Sequence, residues 1–464
     1  MLAAALLVAA LAALALPRAA SANHSQMTIF DAPRELRSDD AALRSRTLDD
    51  IKSLGATWIR IVVYWHDVTP NAGSRRRPSF REKDPNAYDW HAYDRIVDEA
   101  RTRGLKVLMT PSSPVPRWAT LDHSTTRFPS ATHFGRFMRA LGAHFRGRVS
   151  AWSVWNEPNL THFLGPQYRG RKAYSPKLYR RLFIAADRAL KASGNGRVRL
   201  LIGETAPRTR KNRSVAPLAF LRGVLCLNRH YHKRRGCKKL DADGWAHHPY
   251  TTGSGPYWVP PNRDDVSIGS LGRMTRALYR AGRAHALERG VGLWITEFGV
   301  QSYPDPYVGV SQTRQAEWRS IGEWLAWRNS RVKAFSQYLM RDDLPRHGGR
   351  RARYSGFESG LRTSRGHRKR AYEGFRLALV ADRSSRRRVT LWGHVRPATG
   401  RTRATIEYRN HSRGRWHRLK RVRTDRHGTF TAGTRYRRGR DYRLFWTAPD
   451  GTDYSGSRTR VTSR

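Results

Sequence analysis

The chain has 464 residues, enough for one large domain and a small one. It carries 88 Lys and Arg against 36 Asp and Glu, a formal net charge of +52, and 75 of the basic residues are Arg. The excess runs along the whole chain, which reads as compositional habit or as attraction to anionic polymers: acidic polysaccharide, cell-wall phosphate polymer or nucleic acid.

Residues 1–22 are rich in Ala and Leu and end Ala20-Ser21-Ala22, the pattern of a cleaved secretory signal peptide. After it, no stretch is long and apolar enough for a helix to cross a bilayer, so a secreted chain, extracellular or held at the cell wall, is expected. Met27–Asp31 reads as a strand and Asp39–Leu54 as a helix stopped by Gly55. Thr57–Trp65 is a β-branched strand, Trp90–Arg103 a helix, and Leu105–Thr110 a third strand that leaves into a Pro-rich loop, Pro111–Trp118. Thr132–Phe145 is helical, and a fourth strand begins at Ala151. The alternation continues with helix Pro176–Ala192, strand Arg197–Ile202 ending beside Glu204, helix Val215–Leu225 and strand Gly244–Tyr250. Then come helix Ser270–Glu288, strand Gly292–Gly299, helix Gln312–Asn329, strand Val332–Leu339 and a closing helix, Arg368–Val380. Eight strand–helix units with buried-strand composition predict an α/β fold, a parallel (β/α)8 TIM barrel over residues 23–381. A doubly wound open sheet is the alternative. It is disfavoured because no Gly-rich turn follows the first strand and polar groups close many different strands.

From Asp382 the character changes. Residues 382–388, with Ser384-Ser-Arg-Arg-Arg388, read as a linker. Short alternating stretches follow at Val389–Val395, Ala404–Tyr408, Trp416–Val422, Thr429–Ala432, Tyr442–Trp446 and Thr459–Thr462, at the spacing of a small all-β sandwich over 389–464. Within the barrel, Cys226 and Cys237 sit in one loop, and in an exported chain a disulfide is the default. His230 and His232 lie between them and make zinc conceivable. The crowding of Lys and Arg over Arg229–Lys239 argues against a dication.

Two strands end in a lone carboxylate. Ala151-Trp-Ser-Val-Trp-Asn-Glu-Pro-Asn159 stops at Glu157, and Gly292-Leu-Trp-Ile-Thr-Glu-Phe-Gly299 delivers Glu297, 140 residues later. In a barrel the first residues past each strand face the active site, and a pair of carboxylates there suits acid/base and nucleophilic work. A Glu that merely caps its strand is the bland alternative for either one.

Trp155-Asn156-Glu157-Pro158-Asn159 and Ile295-Thr296-Glu297-Phe298-Gly299 resemble the acid/base and nucleophile segments of clan A glycoside hydrolases, closest to families 5 and 39. The resemblance covers roughly residues 27–380. It implies a retaining enzyme needing no metal or cofactor, with Glu157 as acid/base and Glu297 as nucleophile. Arg60 matches the clan's strand-two arginine beside the nucleophile. His248-Pro249-Tyr250 matches a sixth-strand His-x-Tyr pattern whose phenol bonds the nucleophile, although His247 is equally placed by sequence. Asn156 matches the residue that holds the sugar 2-hydroxyl. Trp65, Trp118 and Trp155 lie near strand ends, where sugar platforms occur, and each is as readily a core residue. The third strand lacks a histidine found in many family 5 enzymes, offering Ser112, Ser113 and Trp118 instead. The eighth lacks a tryptophan, offering Gln337 and Tyr338. The C-terminal segment resembles immunoglobulin-like modules of secreted bacterial enzymes. The expected partner is a carbohydrate substrate met by a monomer, with an anionic cell-wall polymer as a further partner for the basic surface and no obligatory nucleic acid. A barrel that has lost turnover and only binds such a polymer is the competing reading.

Overall fold

A computed structural model describes residues 22–211, 213–251, 253–398 and 400–462. The expected signal peptide lies outside the described residues except for Ala22. Eight parallel strands close a barrel in sequence order: β1 (Met27–Asp31), β2 (Trp58–Tyr64), β3 (Lys106–Ser112), β4 (Ala151–Ser153), β5 (Arg199–Thr205), β6 (Gly244–His247), β7 (Gly292–Ile295) and β8 (Val332–Tyr338). The principal helices between them are α1 (Ala41–Ser53), α2 (His91–Thr102), α3 (Ala131–His144), α4 (Ser175–Leu190), α5 (Pro217–Val224), α6 (Leu271–Arg283) and α7 (Gln312–Trp327), with α8 (Arg370–Arg376) after β8.

The strand period of two sorts the side chains. One residue from each strand forms an apolar plug inside the barrel: Ile29, Trp58, Leu108, Ala151, Leu201, Ala246, Trp294 and Ala334. Trp58 and Trp294 meet edge to face at 5.8 Å, and three alanines leave room for them. Two residues beyond the plug position in seven of the eight units, on the strand or just past its end, stand Asp31, Arg60, Thr110, Ser153, His248, Thr296 and Ser336, every one buried. The inside of the barrel therefore turns from apolar to polar towards the strands' carboxyl ends.

The eighth unit departs from expectation. Helix α8 stops at Arg376, and Leu377–Arg383 is a strand, β9, not the end of a helix. It pairs antiparallel with β10 (Arg388–Val395) along its whole length. The expected linker at 382–388 is thus the end of β9, a tight turn closed by the Ser384 N–H donating to the Arg388 carbonyl (3.1 Å), and the start of β10. The cause is two-sided burial. Leu377, Leu379 and Ala381 face the C-terminal core, while Ala378 and Val380 pack with Ile321, Trp324 and Trp327 of α7. An apolar run buried on both faces has no period that separates strand from helix.

The rest of the C-terminal unit is β11 (Arg403–Arg409), β12 (His417–Arg423), β13 (Thr429–Arg435), β14 (Asp441–Thr447), β15 (Asp453–Ser455) and β16 (Thr459–Thr462). All eight strands form one connected sheet in the order β12-β11-β14-β16-β9-β10-β13, with β15 on β14. It is an all-β unit, joined through β16 rather than split into two separate sheets.

This unit is fastened to the barrel. Trp327 of α7 meets Trp392 of β10 at 5.7 Å. Buried Glu323 of α7 accepts from Arg319, Arg396 and His394. Burial opposes the charge of Glu323, but the two guanidinium groups outweigh it and hold the carboxyl well below its usual range.

Candidate active site

Four acids close strands at the polar end of the barrel: Asp31 (β1), Glu157 (past β4), Glu204 (β5) and Glu297 (past β7). Arg60, buried on β2, joins them. Its Nη1 donates to Asp31 Oδ2 (2.8 Å) and Glu297 Oε1 (2.6 Å), and its Nη2 to Asn156 Oδ1 (2.6 Å) and Glu204 Oε2 (3.2 Å). His248 closes the other side. Its Nδ1 lies 3.0 Å from Glu157 Oε1 and 3.5 Å from Glu297 Oε2, and its Nε2 lies 2.6 Å from Glu204 Oε2. Tyr250 donates its hydroxyl to Glu297 Oε2 at 2.9 Å, and Thr296 donates to Glu204 Oε2 at 2.9 Å.

Exposure divides the acids. The Glu157 and Glu297 side chains are 14% and 11% exposed, whereas Asp31 and Glu204 stand at 2% and 0%. Only the first pair can meet a molecule arriving from solvent.

Local backbone aims these groups. Trp155, Glu157 and Glu204 adopt left-handed φ values of +68°, +39° and +47°, at a cost of about 1–3 kcal/mol each. The β4 exit is pinned in that shape. Ser112 Oγ accepts from the Asn156 N–H (3.0 Å), Trp155 Nε1 donates to the Phe163 carbonyl (3.0 Å), and Asn159 bonds Ala206 and Val215 (2.8–3.1 Å). On β5 the register to β6 slips between Ile202 and Thr205, a bulge that turns Glu204 inward. Gly203 makes the bulge feasible. Its φ is +114°, and a Cβ there would sit 2.6 Å from the Trp245 ring and 2.7 Å from the Ala246 carbonyl.

The buried charges tune one another. Burial disfavours the Arg60 cation, but Glu204, Glu297 and Asp31 overcome this and push its pKa well up. Burial likewise opposes a charged His248, yet the carboxylates of Glu297, Glu157 and Glu204 raise it to about 10. Glu204 is the reverse case: burial would raise it, but Arg60 and His248 bring it to about 2. In Asp31 burial wins over Arg60 and lifts it to about 7. The Tyr250 hydroxyl is pushed well above its usual value by burial and by Glu297.

Of the residues singled out from the sequence, Glu157, Glu297, Asn156, Arg60, His248 and Tyr250 converge here. Tyr338 stands at the rim, its ring 6.2 Å from Tyr250. His248, not His247, enters the site. His247 bonds Thr205 and the Val266 carbonyl, and burial lowers it to about 3.

Trp65 and Trp118 are not platforms. They pack against each other and against Phe134, Phe137 and Phe80, outside the barrel wall, because the amphipathic face of α3 covers them. Trp155 is buried against Phe134. Gln337 is also turned away, bonded to Arg319 and to the Leu339 and Ser359 carbonyls. Cys226 and Cys237 form a disulfide in the connection between α5 and β6.

Sequence reasoning passed over Asp31 and Glu204 as site members, although each closes an apolar strand as Glu157 and Glu297 do. It also passed over Phe357, which is 37% exposed and lies 6.1 Å from Tyr250 and 5.2 Å from Tyr338.

Glu157, His248 and Glu297 each offer a ligand atom within 4.8 Å of the others, the spacing of a metal set. Within the protein these atoms already have partners: Arg60 holds Glu297 Oε1, Tyr250 holds its Oε2, and His248 Nδ1 meets Glu157 Oε1.

No known family model matches the chain, and no curated protein does. Solved structures do. A glucosidase from Croceicoccus marinus aligns over 96% of this chain and 98% of its own at 13% identity, with a TM-score of 0.52. Xylanase 10B from Thermotoga maritima covers 76% of this chain and 94% of its own at 15% identity, TM-score 0.46. A GH10 endoxylanase retrieved from a sugarcane soil metagenome covers 76% and 96% at 12% identity, TM-score 0.47. At such identities the likeness is one of fold: the chain is an eight-stranded parallel barrel with glycoside hydrolases among its structural neighbours.

Proposed function

We propose that the chain is a secreted retaining glycosidase that cleaves O-glycosidic bonds of a poly- or oligosaccharide, closest in its motifs to families 5 and 39. One observation carries the reading. Two solvent-reachable carboxylates at the mouth of a parallel barrel have oxygens within 4.8 Å of each other. Retaining enzymes hold their carboxyl groups about 5–5.5 Å apart, whereas inverting ones leave about 6.5–9.5 Å for a water.

Glu297 is the nucleophile. Arg60 and Tyr250 each hold one of its oxygens, fixing the carboxylate while it attacks the anomeric carbon. Glu157 gives its proton to the departing glycosidic oxygen. The His248 imidazolium, 3.0 Å away, then steadies the carboxylate left behind. In the second step Glu157 takes a proton from water, and the hydroxide equivalent breaks the bond between sugar and Glu297. Asn156 spends its carbonyl oxygen on Arg60, so its amide N–H groups are free to hold a sugar hydroxyl beside the reacting carbon, a contact that counts most if it tightens in the transition state.

The test is stereochemical. Proton NMR of the first product formed from an aryl-glycoside panel should show the substrate's anomeric configuration. An inverted product would overturn the double displacement. Failure to cleave any glycoside, with polymer binding that collapses in salt, would instead indicate a barrel that only binds.

A further inference from the structure

Many barrel arginines face acids: Arg44 meets Glu99, Arg103 Asp49, Arg222 Asp264 and Arg362 Asp50. Others, Arg276, Arg283 and Arg289 among them, have no acid partner among the described residues; what sets the outer face of β12, β11 and β14 apart is that such arginines stand together across neighbouring strands. Ala404 and Ile406 of β11 and Leu444 and Trp446 of β14 point into the core, so Arg403, Thr405, Phe445 and Thr447 point out. The register sets Arg403 directly opposite Arg423, and Thr405 opposite both Arg421 and Phe445. These residues line a shallow concavity of about 590 Å³. Among the described residues, Arg403, Arg421 and Arg423 have no acid partner. Two acids of the same sheet are already engaged, Glu407 by Arg443 (2.6 Å) and Asp453 by the Thr447 hydroxyl (2.6 Å).

Like charges set directly opposite on neighbouring strands destabilise a sheet. The Arg403–Arg423 pair is such a cost, with no acid among the described residues to offset it. An anionic group between the two would remove it, and guanidinium forks grip carboxylate, sulfate or phosphate oxygens in pairs. Beside them the Phe445 ring and the Thr405 hydroxyl, which has no partner among the described residues, offer one apolar face and one hydrogen-bonding group, as a sugar ring requires. Single-stranded nucleic acid is held on successive aromatic rings, and this concavity presents one outward ring.

We propose that this face of the C-terminal unit is a binding site for an acidic polysaccharide, with Arg403, Arg421 and Arg423 holding its anionic groups. The site does not depend on what the barrel does, and its test keeps the two apart. Binding of the full chain is measured in a Glu297→Gln background, so that turnover does not enter, against polygalacturonate, dextran sulfate, neutral dextran and a single-stranded DNA oligonucleotide. Replacing Arg403, Arg421 and Arg423 together by Gln should weaken binding to one or both acidic polysaccharides by at least about tenfold. Which of the two responds distinguishes carboxylate from sulfate. Replacing Arg276, Arg283 and Arg289, exposed on or just after α6, removes the same charge and should change binding less than about twofold. The first triple variant should melt no lower than its parent, since a repulsion has been removed. Equal loss in both triples, or loss in neither, would overturn the site. Tighter binding to DNA than to either acidic polysaccharide, lost in the first triple, would make it a nucleic-acid site and overturn the assignment.

Discussion

Nε2 of His248 lies 2.6 Å from Oε2 of Glu204, and both side chains are sealed from solvent. Glu204 also accepts from Arg60 and Thr296. It therefore anchors the two cations that touch the solvent-facing pair, and it acts as a positioning residue. Glu204→Gln keeps the shape but removes the charge. Breaking a buried ionic network by removing one partner costs about 3–5 kcal/mol, so the variant should melt lower. Its kcat should fall while KM moves little, and its pH–rate profile should shift as His248 loses a carboxylate. Stability loss with an unmoved pH profile would leave Glu204 a merely structural acid.

Backbone geometry gives a second handle on the same group. Gly203→Ala would place a methyl against the Trp245 ring and the Ala246 carbonyl at a φ of +114°. The bulge should shift or the strand should not form. Loss of soluble protein, or a fold that keeps its far-UV CD but loses activity, is expected. A fully active Gly203→Ala enzyme would mean that the bulge does not aim Glu204.

The two solvent-facing glutamates should respond differently to the leaving group. Glu297→Gln should lose activity on every substrate. Glu157→Ala should retain much more of it on aryl glycosides whose phenols leave without a proton, because general acid help, worth typically about 10²–10⁴-fold, is then not needed. Equal residual rates of the two variants across a series of phenols would reverse or remove the assignment.

Stability should fall as pH rises above about 4.5. His248 has a folded-state pKa near 10, above its usual 6.5. Its contribution is complete below about pH 6.5 and disappears as pH rises through 10. Asp31, lifted to about 7, adds to the same trend, since it binds its proton more tightly when folded. Glu204, lowered to about 2, contributes above pH 4.5, and that contribution is lost as pH falls through 2. Thermal melts from pH 3 to 10 should peak near about pH 4 to 4.5, where the gain from Glu204 ends and the loss from Asp31 sets in. In Asp31→Asn the decline between pH 4 and 7 should be shallower; an unchanged slope would show that Asp31 does not titrate there.

The barrel should not survive without the C-terminal unit. A chain ended at Arg376 uncovers Ile321, Trp324 and Trp327 and leaves Glu323 without Arg396 and His394. One ended at Arg383 keeps β9 with no strand beside it. Both should be insoluble or molten, and Trp392→Ala in the full chain should cost about 3–5 kcal/mol. A soluble, cooperatively melting barrel from either truncation would contradict the fastening described here.

How much of this was written in the sequence depends on the range of each signal. Strand period and strand-end chemistry are local, so the eight strands, most of their helices and the pair Glu157 and Glu297 could be read directly. The same signal stood at Asp31 and Glu204, where a lone acid ends an apolar run. What is not local is which strand ends meet. Only closure of the barrel brings Arg60 to four partners from four other strands, chooses His248 over the adjacent His247, and seals two acids while leaving two open. The tryptophans show the opposite limit. Trp65 and Trp118 follow strands as a platform would, but α3 lays its apolar face over them, and a large ring is buried wherever a neighbour can cover it. Leu377–Arg383 fails for a related reason: it is apolar on both sides because two bodies grip it, and that contact exists only once the barrel and the β unit have come together.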